Sequence, residues 1–200
     1  MSREHIFSSE AVSRGHPDKL ADQISDAVVD GLIRLDRKAR AAIETLIGSY
    51  IEVVGVESKR VDYIVISGEA QVRKAQRKKW QKILTEEKQI PALARRVLRT
   101  CGYSDGPSGF DVAGCKIEVR INIQSRAISK LVDGGQGAGD QGMMYGYACK
   151  EVKASLMPAA IHFAQKLMRQ QEKVVRSGKL PLLLPDAKSM VWVKYQGDQF

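Results

Sequence analysis

Apolar residues recur along this chain with two different periods, and the changes of period mark the elements. From Pro17, at about 100° per residue, Leu20, Ile24, Ala27, Val28, Gly31, Leu32 and Leu35 share one face while Asp18, Asp22, Asp26 and Asp30 line the other. This pattern predicts a long amphipathic helix, and Pro17 suits its first position, where the missing N–H would be unpaired anyway. Residues 41–47, 50–56 and 61–66 read as three neighbouring β-strands in a meander or hairpins, before Ser67-Gly68-Glu69. A basic helix over residues 73–82 is predicted to end near Lys88. Pro91 then opens another, with Leu93, Val97 and Leu98 on its apolar side and Gly102 closing it. After the Gly-, Ser- and Pro-rich loop 103–114, residues 115–123 alternate strictly, with Ile117, Val119, Ile121 and Ile123 on one face of a strand. Pro158 starts a helix through Ile161, Ala164, Leu167 and Met168 to Gly178, and residues 189–195 form a last strand.

Composition narrows the class. A chain of 200 residues, 44% hydrophobic and 28% charged, is long enough for a proper core in one or two domains of a soluble protein. It has no apolar run near the ~18 residues that span a bilayer, and residues 1–10 lack a signal-peptide pattern, so no membrane association and a cytoplasmic location are expected. Cys101, Cys115 and Cys149 are odd in number and lack metal-site spacing, which points to reduced thiols. Residues 59–99 hold twelve Lys and Arg against four Asp and Glu, which accounts for +8 of the net charge of +9. The charges of Arg73, Lys74, Arg77, Lys78, Lys79 and Lys82 wrap around most of their helix and make no single stripe. The expectation is a surface helix outside any active site, binding polyanions weakly; nucleic acid is not expected as a specific partner.

Candidate chemistry starts at the first helix. Carboxylates four residues apart repel by roughly 0.2–0.5 kcal/mol per pair, so the Asp row does not serve the helix itself. A helix N-terminus with His16 and Lys19 beside it suits phosphate, and Asp18 suits the Mg²⁺ that accompanies a polyphosphate. A plain helix start with a surface histidine explains the same residues. Glu44, between Ile43 and Leu46 in sequence, needs a cation, an Arg or donors if it is buried; a strand-edge glutamate facing water is the alternative. The run Gly134 to Gly146 contains six glycines and a formal GxGxxG at Gly137, Gly139 and Gly142. Without a strand before it and a well-formed helix after it, dinucleotide binding is rejected. Asp140 in that run can bind a sugar hydroxyl or an amino group, or merely cap a turn. Asp186 and Lys188, at i and i+2 entering a strand, point to one side and can clamp a phosphate with its metal, or form a surface ion pair. His162, alone on its helix, reads as structural.

The run Gly15-His16-Pro17-Asp18-Lys19-Leu20-Ala21-Asp22-Gln23-Ile24-Ser25-Asp26-Ala27 resembles the N-terminal signature of S-adenosylmethionine synthetases (methionine adenosyltransferases). Ala42-Ile43-Glu44-Thr45, Ser67-Gly68-Glu69, Gln124-Ser125, the glycine run around Asp140 and Leu184-Pro185-Asp186-Ala187-Lys188-Ser189 follow in the family's order. The resemblance implies an α+β fold of repeated, interleaved sheet-and-helix domains, incomplete in this chain. Residues 1–126 would form an N-terminal domain with insertions near 47–60 and 71–90, and 134–200 the first part of a central domain. It implies an ATP-binding transferase that makes S-adenosylmethionine from ATP and L-methionine, cleaves the triphosphate to pyrophosphate and phosphate, and uses Mg²⁺ and K⁺ as a homodimer or homotetramer. His16 would contact the triphosphate and Lys188 would share its catalytic role. Asp186, Ala187 and Lys188 would bind ATP, and Glu69 and Gln124 methionine. Asp18 would hold Mg²⁺, Glu44 K⁺, and Asp140 would lie in the active-site loop. Three departures stand out: Arg14 replaces an acidic residue of the family run, Gln124-Ser125 is followed by Arg126-Ala127, and the chain is about half the family's length. The resemblance therefore implies an incomplete active site in these residues, and the rival expectation is a truncated, non-catalytic paralogue that binds or regulates a full-length synthetase.

Overall fold

A computed structural model describes residues 4–85, 89–105, 109–123, 142–153 and 155–197. The chain folds into two compact units, one of Pro17–Gln141 and one that joins Met1–His16 to Gly142–Phe200. Mixed helix and sheet in each unit give the α+β class.

In the Pro17–Gln141 unit, helix α1 (Pro17–Leu35) buries Leu20, Ile24, Val28 and Leu32. All four Asp of its other face are exposed. Full burial of such side chains contributes roughly 1.5–3 kcal/mol each, which outweighs the repulsion along the Asp row. The three strands expected between residues 41 and 66 are two. Strand β2 (Arg40–Val54) runs unbroken through Gly48 and Ser49 and pairs antiparallel over its whole length with β3 (Glu57–Gln71). Strand β4 (Lys116–Ile123) then lies parallel to β3, giving the order β2-β3-β4. A parallel neighbour needs a helical crossover. It is supplied by a 3₁₀ turn (Lys74–Gln76), α2 (Arg77–Thr85) and α3 (Gln89–Thr100).

The basic segment is anchored and does not protrude. Trp80 is only 3% exposed and belongs to the same apolar cluster as Ile64, Ile66 and Leu98. Arg73, counted above among the surface charges, is committed to Asp36, whose carboxylate accepts its backbone N–H at 2.7 Å and its Nε at 2.8 Å, with the Lys38 N–H at 3.0 Å. The Arg73 N–H above all, helped by Lys38 and the guanidinium, holds the Asp36 carboxyl below its usual range despite burial. A depressed folded-state pKa stabilises above the unfolded value near 4 and is lost as pH falls through the folded one. Asp36→Asn is therefore expected to lower the melting temperature by about 5 °C or more at pH 7. The deficit should shrink towards pH 3, as thermal unfolding at both pH values will report.

In the other unit, β1 (Glu4–Val12) pairs antiparallel with β5 (Lys188–Gln196), so the two ends of the chain share one ribbon. Helix α4 (Ala159–Ser177) packs on this ribbon through Ala159, Ala160 and Ala164. Those small side chains let the helix come close enough for Ser189 to donate its hydroxyl hydrogen bond to Ala164 O at 2.9 Å. The buried face is thus the alanine one, and Leu167 is 52% exposed. Glu151 caps the helix, accepting the Ala159 N–H at 2.7 Å and the Tyr195 hydroxyl at 2.9 Å. Burial, and then the Glu151 carboxylate, push the Tyr195 phenol up to about 12, so it stays a neutral donor. His162 meets Phe163 edge to ring at 5.4 Å. Cys101, Cys115 and Cys149 are not joined in disulfides, and no helix among the described residues is long and apolar enough to cross a membrane.

Candidate active site

The residues singled out by sequence divide between the two units. His16, Asp186, Ala187 and Lys188 belong to the β1–β5 unit, and Asp18, Glu44 and Glu69 to the unit of α1 and the three-stranded sheet. Gln124 and Asp140 lie outside the described residues.

Ser13 organises the first group. It is 1% exposed and follows β1 directly. Its N–H donates to Ala187 O at 2.8 Å, its hydroxyl donates to Pro185 O at 2.7 Å, and the same hydroxyl accepts the Ala187 N–H at 2.9 Å. One side chain thereby uses donor and acceptor together to hold residues 185–187, which are more than 170 positions away in sequence. The chain then turns, with the His16 N–H returning to Ser13 O at 3.1 Å. Gly15 in that turn lies flat against Pro185, and a Cβ built on it would meet the Pro185 carbonyl O at 2.6 Å and C at 2.7 Å. Asp186 therefore sits between the two residues Ser13 grips, Lys188 opens β5 opposite Val12, and His16 is three residues beyond the clamp. The structure brings these three to one end of the ribbon, where Asp186 and Lys188 are exposed and His16 half-buried. Sequence reading missed Ser13, although a small hydroxyl residue just before a glycine turn is its signal.

Arg14, the departure beside this turn, is paired. Its Nη1 lies 3.3 Å from Glu172 Oε1 on α4, and Arg176 Nη2 meets the same oxygen at 2.9 Å. Helix α4 also reaches the clamped segment through Gln171, which donates to Leu184 O at 2.8 Å.

In the other unit, Asp18 is exposed in the first turn of α1, with Lys19 exposed beside it. The register of the sheet sorts its residues onto two faces. Ile43, Gly68 and Ile121 form one row of the covered face. Ala42, Glu69 and Asn122, and then Glu44, Ser67 and Arg120, form adjacent rows of the opposite face. Glu44 is exposed there, on the face opposite buried Ile43, and Leu46 on its own face is exposed as well, so the burial argument for a cation falls away. What remains is diagonal placement: Glu44 and Glu69 stand two residues out of register on neighbouring strands, about 7–8 Å apart by backbone. Gly68 beside them has φ 140°, and a Cβ there would overlap the Ala42 carbonyl O. Only glycine allows this approach of β2 to β3 just before Glu69. Arg120, in the row of Glu44, is held by Glu118 at 2.7 Å.

The family model for the S-adenosylmethionine synthetase N-terminal domain matches residues 4–126, and that for the S-adenosylmethionine synthetase central domain matches residues 135–200. The chain belongs to the S-adenosylmethionine synthetase family. Strand β1 lies within the first match and its partner β5 within the second, which is the interleaving of segments along the chain that the resemblance implied.

Proposed function

We propose that this protein is a methionine adenosyltransferase, forming S-adenosylmethionine from ATP and L-methionine. The observation that carries the reading is the Ser13 clamp, which joins the His16 turn to the Asp186-Ala187-Lys188 segment and so collects a histidine and a lysine at one end of the ribbon. Such a set suits a polyphosphate. In the reaction the methionine sulfur attacks C5′ of ATP, the C5′–O bond breaks, and the triphosphate leaves with the bonding electrons; water then cleaves it to pyrophosphate and phosphate. A thioether carries its lone pair without deprotonation, so no general base is required. The work falls to positioning and to stabilising charge on the leaving group, the roles assigned to His16 and Lys188, with Asp186 and Ala187 lining the nucleotide. Glu69 and Gln124 are assigned to methionine, whose ammonium suits the Glu69 carboxylate, and Asp140 to the active-site loop.

Among the described residues no three His, Cys, Asp or Glu side chains gather as a metal cage. That fits an ion held by one carboxylate and shared with phosphates, the usual manner of Mg²⁺. Asp18 would hold it, and when bound it would neutralise charge developing on the triphosphate. Glu44, with Ser67 opposite and Glu69 diagonal to it, offers hard oxygen ligands and a like-charge pair that a monovalent cation relieves. Exposed Leu46 and Tyr50 on the same sheet face support self-association as a homodimer or homotetramer.

The test is incubation with ATP and methionine, with S-adenosylmethionine, pyrophosphate and phosphate measured together. Equimolar formation of all three is expected. ATP binding without S-adenosylmethionine would favour a non-catalytic relative. Rates in K⁺ and in a bulky organic cation, compared for native protein and Glu44→Gln, test the cation site: K⁺ stimulation of a few-fold is expected in the native protein only. Equal stimulation in both would remove Glu44 from it.

A further inference from the structure

We propose that Arg14 is an additional polyphosphate ligand, kept ready by an exchangeable bond to Glu172; the inference rests on the reading of the His16–Lys188 end of the ribbon as the polyphosphate site. Three observations converge on it. First, the turn leaves one side chain to work with. Ser13 is consumed by the clamp, Gly15 is pressed on Pro185, and Arg14 between them is 42% exposed. Second, Arg14 is two residues from His16, so their Cα atoms are at most about 7 Å apart, well within the reach of a guanidinium. Third, its present partner can release it without being stranded. Glu172 Oε1 is shared, and its contact with Arg176, at 2.9 Å, is the shorter of the two. When Arg14 leaves, the carboxylate keeps an i,i+4 partner on its own helix.

The balance of forces favours the exchange. An exposed ion pair between single charges is worth little in water. A guanidinium facing phosphate oxygens forms short, paired, charge-assisted hydrogen bonds, for which its planar fork is suited. Where the resembling family run has an acidic residue, this chain therefore places a movable cation, and the consequence is tighter holding of the nucleotide's phosphates and of the triphosphate product.

Calorimetric titration of the full chain with sodium tripolyphosphate and Mg²⁺, at two salt concentrations, tests this. Arg14→Ala is expected to weaken binding about threefold to tenfold and to flatten its salt dependence. Arg14→Lys should recover part of the loss, and Glu172→Gln should tighten binding about twofold to fivefold by freeing Arg14. The opposite signs are the signature, because a merely structural Arg14–Glu172 bridge would make both variants weaker. Weakening by Glu172→Gln, or native affinity in Arg14→Ala, overturns the proposal. Lys188→Ala is the control for the underlying reading. If it binds tripolyphosphate as the native chain does, or the native chain does not bind it, the site itself is wrong and the Arg14 proposal falls with it. If Lys188→Ala weakens binding and Arg14→Ala does not, only the Arg14 proposal falls.

Discussion

Asp18→Asn is expected to lower turnover by about 10²–10³-fold while leaving the melting temperature nearly where it was. The stability half of this statement follows from two opposing terms on α1. A carboxylate in the first turn gains about 0.3–1 kcal/mol from the helix dipole. The same carboxylate loses roughly 0.2–0.5 kcal/mol to Asp22 one turn on. Asparagine forfeits both, and because the side chain is exposed no packing changes with it. The catalytic half follows from charge. In the proposed reaction the triphosphate departs with full negative charge, and Asn offers a neutral oxygen where a Mg²⁺ held at Asp18 would call for an anionic one. Turnover across a Mg²⁺ titration, with a thermal melt of the same sample, separates the two. The variant should require more Mg²⁺ and still fall short at saturation. Native turnover at limiting Mg²⁺ would remove Asp18 from the site.

How much of this was legible beforehand depends on the range of the interaction that decides each feature. Helix α1 was legible from Pro17 to Leu35 because a local period and a local start signal agree, and tertiary packing only confirms the face they select. The division of residues 41–66 was not. Gly48-Ser49 reads as a break, yet the β3 partners Tyr63 and Asp62 continue the ladder across it, and pairing along fifteen residues outweighs two weak strand formers. The extent of α4 was legible from Pro158 and Gly178, whereas its packing through Ala159, Ala160 and Ala164, with Leu167 left exposed, is set by the two-stranded ribbon. Glu44 shows the limit for site residues. Ile43 before it is buried, but in a strand adjacent residues face opposite ways, so that burial said nothing about the surroundings of Glu44. Arg73 looked like one more surface charge because its partner, Asp36, is 37 residues away. The meeting of the His16 turn with Asp186 and Lys188 was implied by the family resemblance alone, since the contact that makes it depends on one serine whose partners lie more than 170 residues on.

That serine and the glycine two residues on lead to the second large effect. Gly15→Ala is expected to cost about 1–3 kcal/mol of stability in the β1–β5 unit and to lower turnover by about 10²-fold, although Gly15 carries no side chain to touch a substrate. The added Cβ would sit 2.6–2.7 Å from the Pro185 carbonyl O and C and from its Cβ. Two of those atoms are backbone, and Ser13 holds that backbone through its own hydroxyl, so the neighbour cannot swing away as a flexible side chain would. Either the turn rises off Pro185 and carries His16 with it, or Pro185 retreats, breaking the bond to Ser13 and shifting Asp186 and Lys188. Both routes change the separation of His16 from Lys188, and displacements near 1 Å are enough for a loss of that order. Ser13→Ala provides the matching lesion from the other side of the clamp, as it deletes two hydrogen bonds without adding volume. The two variants should therefore share a phenotype, with weaker tripolyphosphate binding and slower turnover. The double variant should be little worse than either alone, because both undo the same junction. Additive losses in the double variant would mean that the serine and the glycine act on separate structures, and that the turn is not what positions the phosphate-binding group.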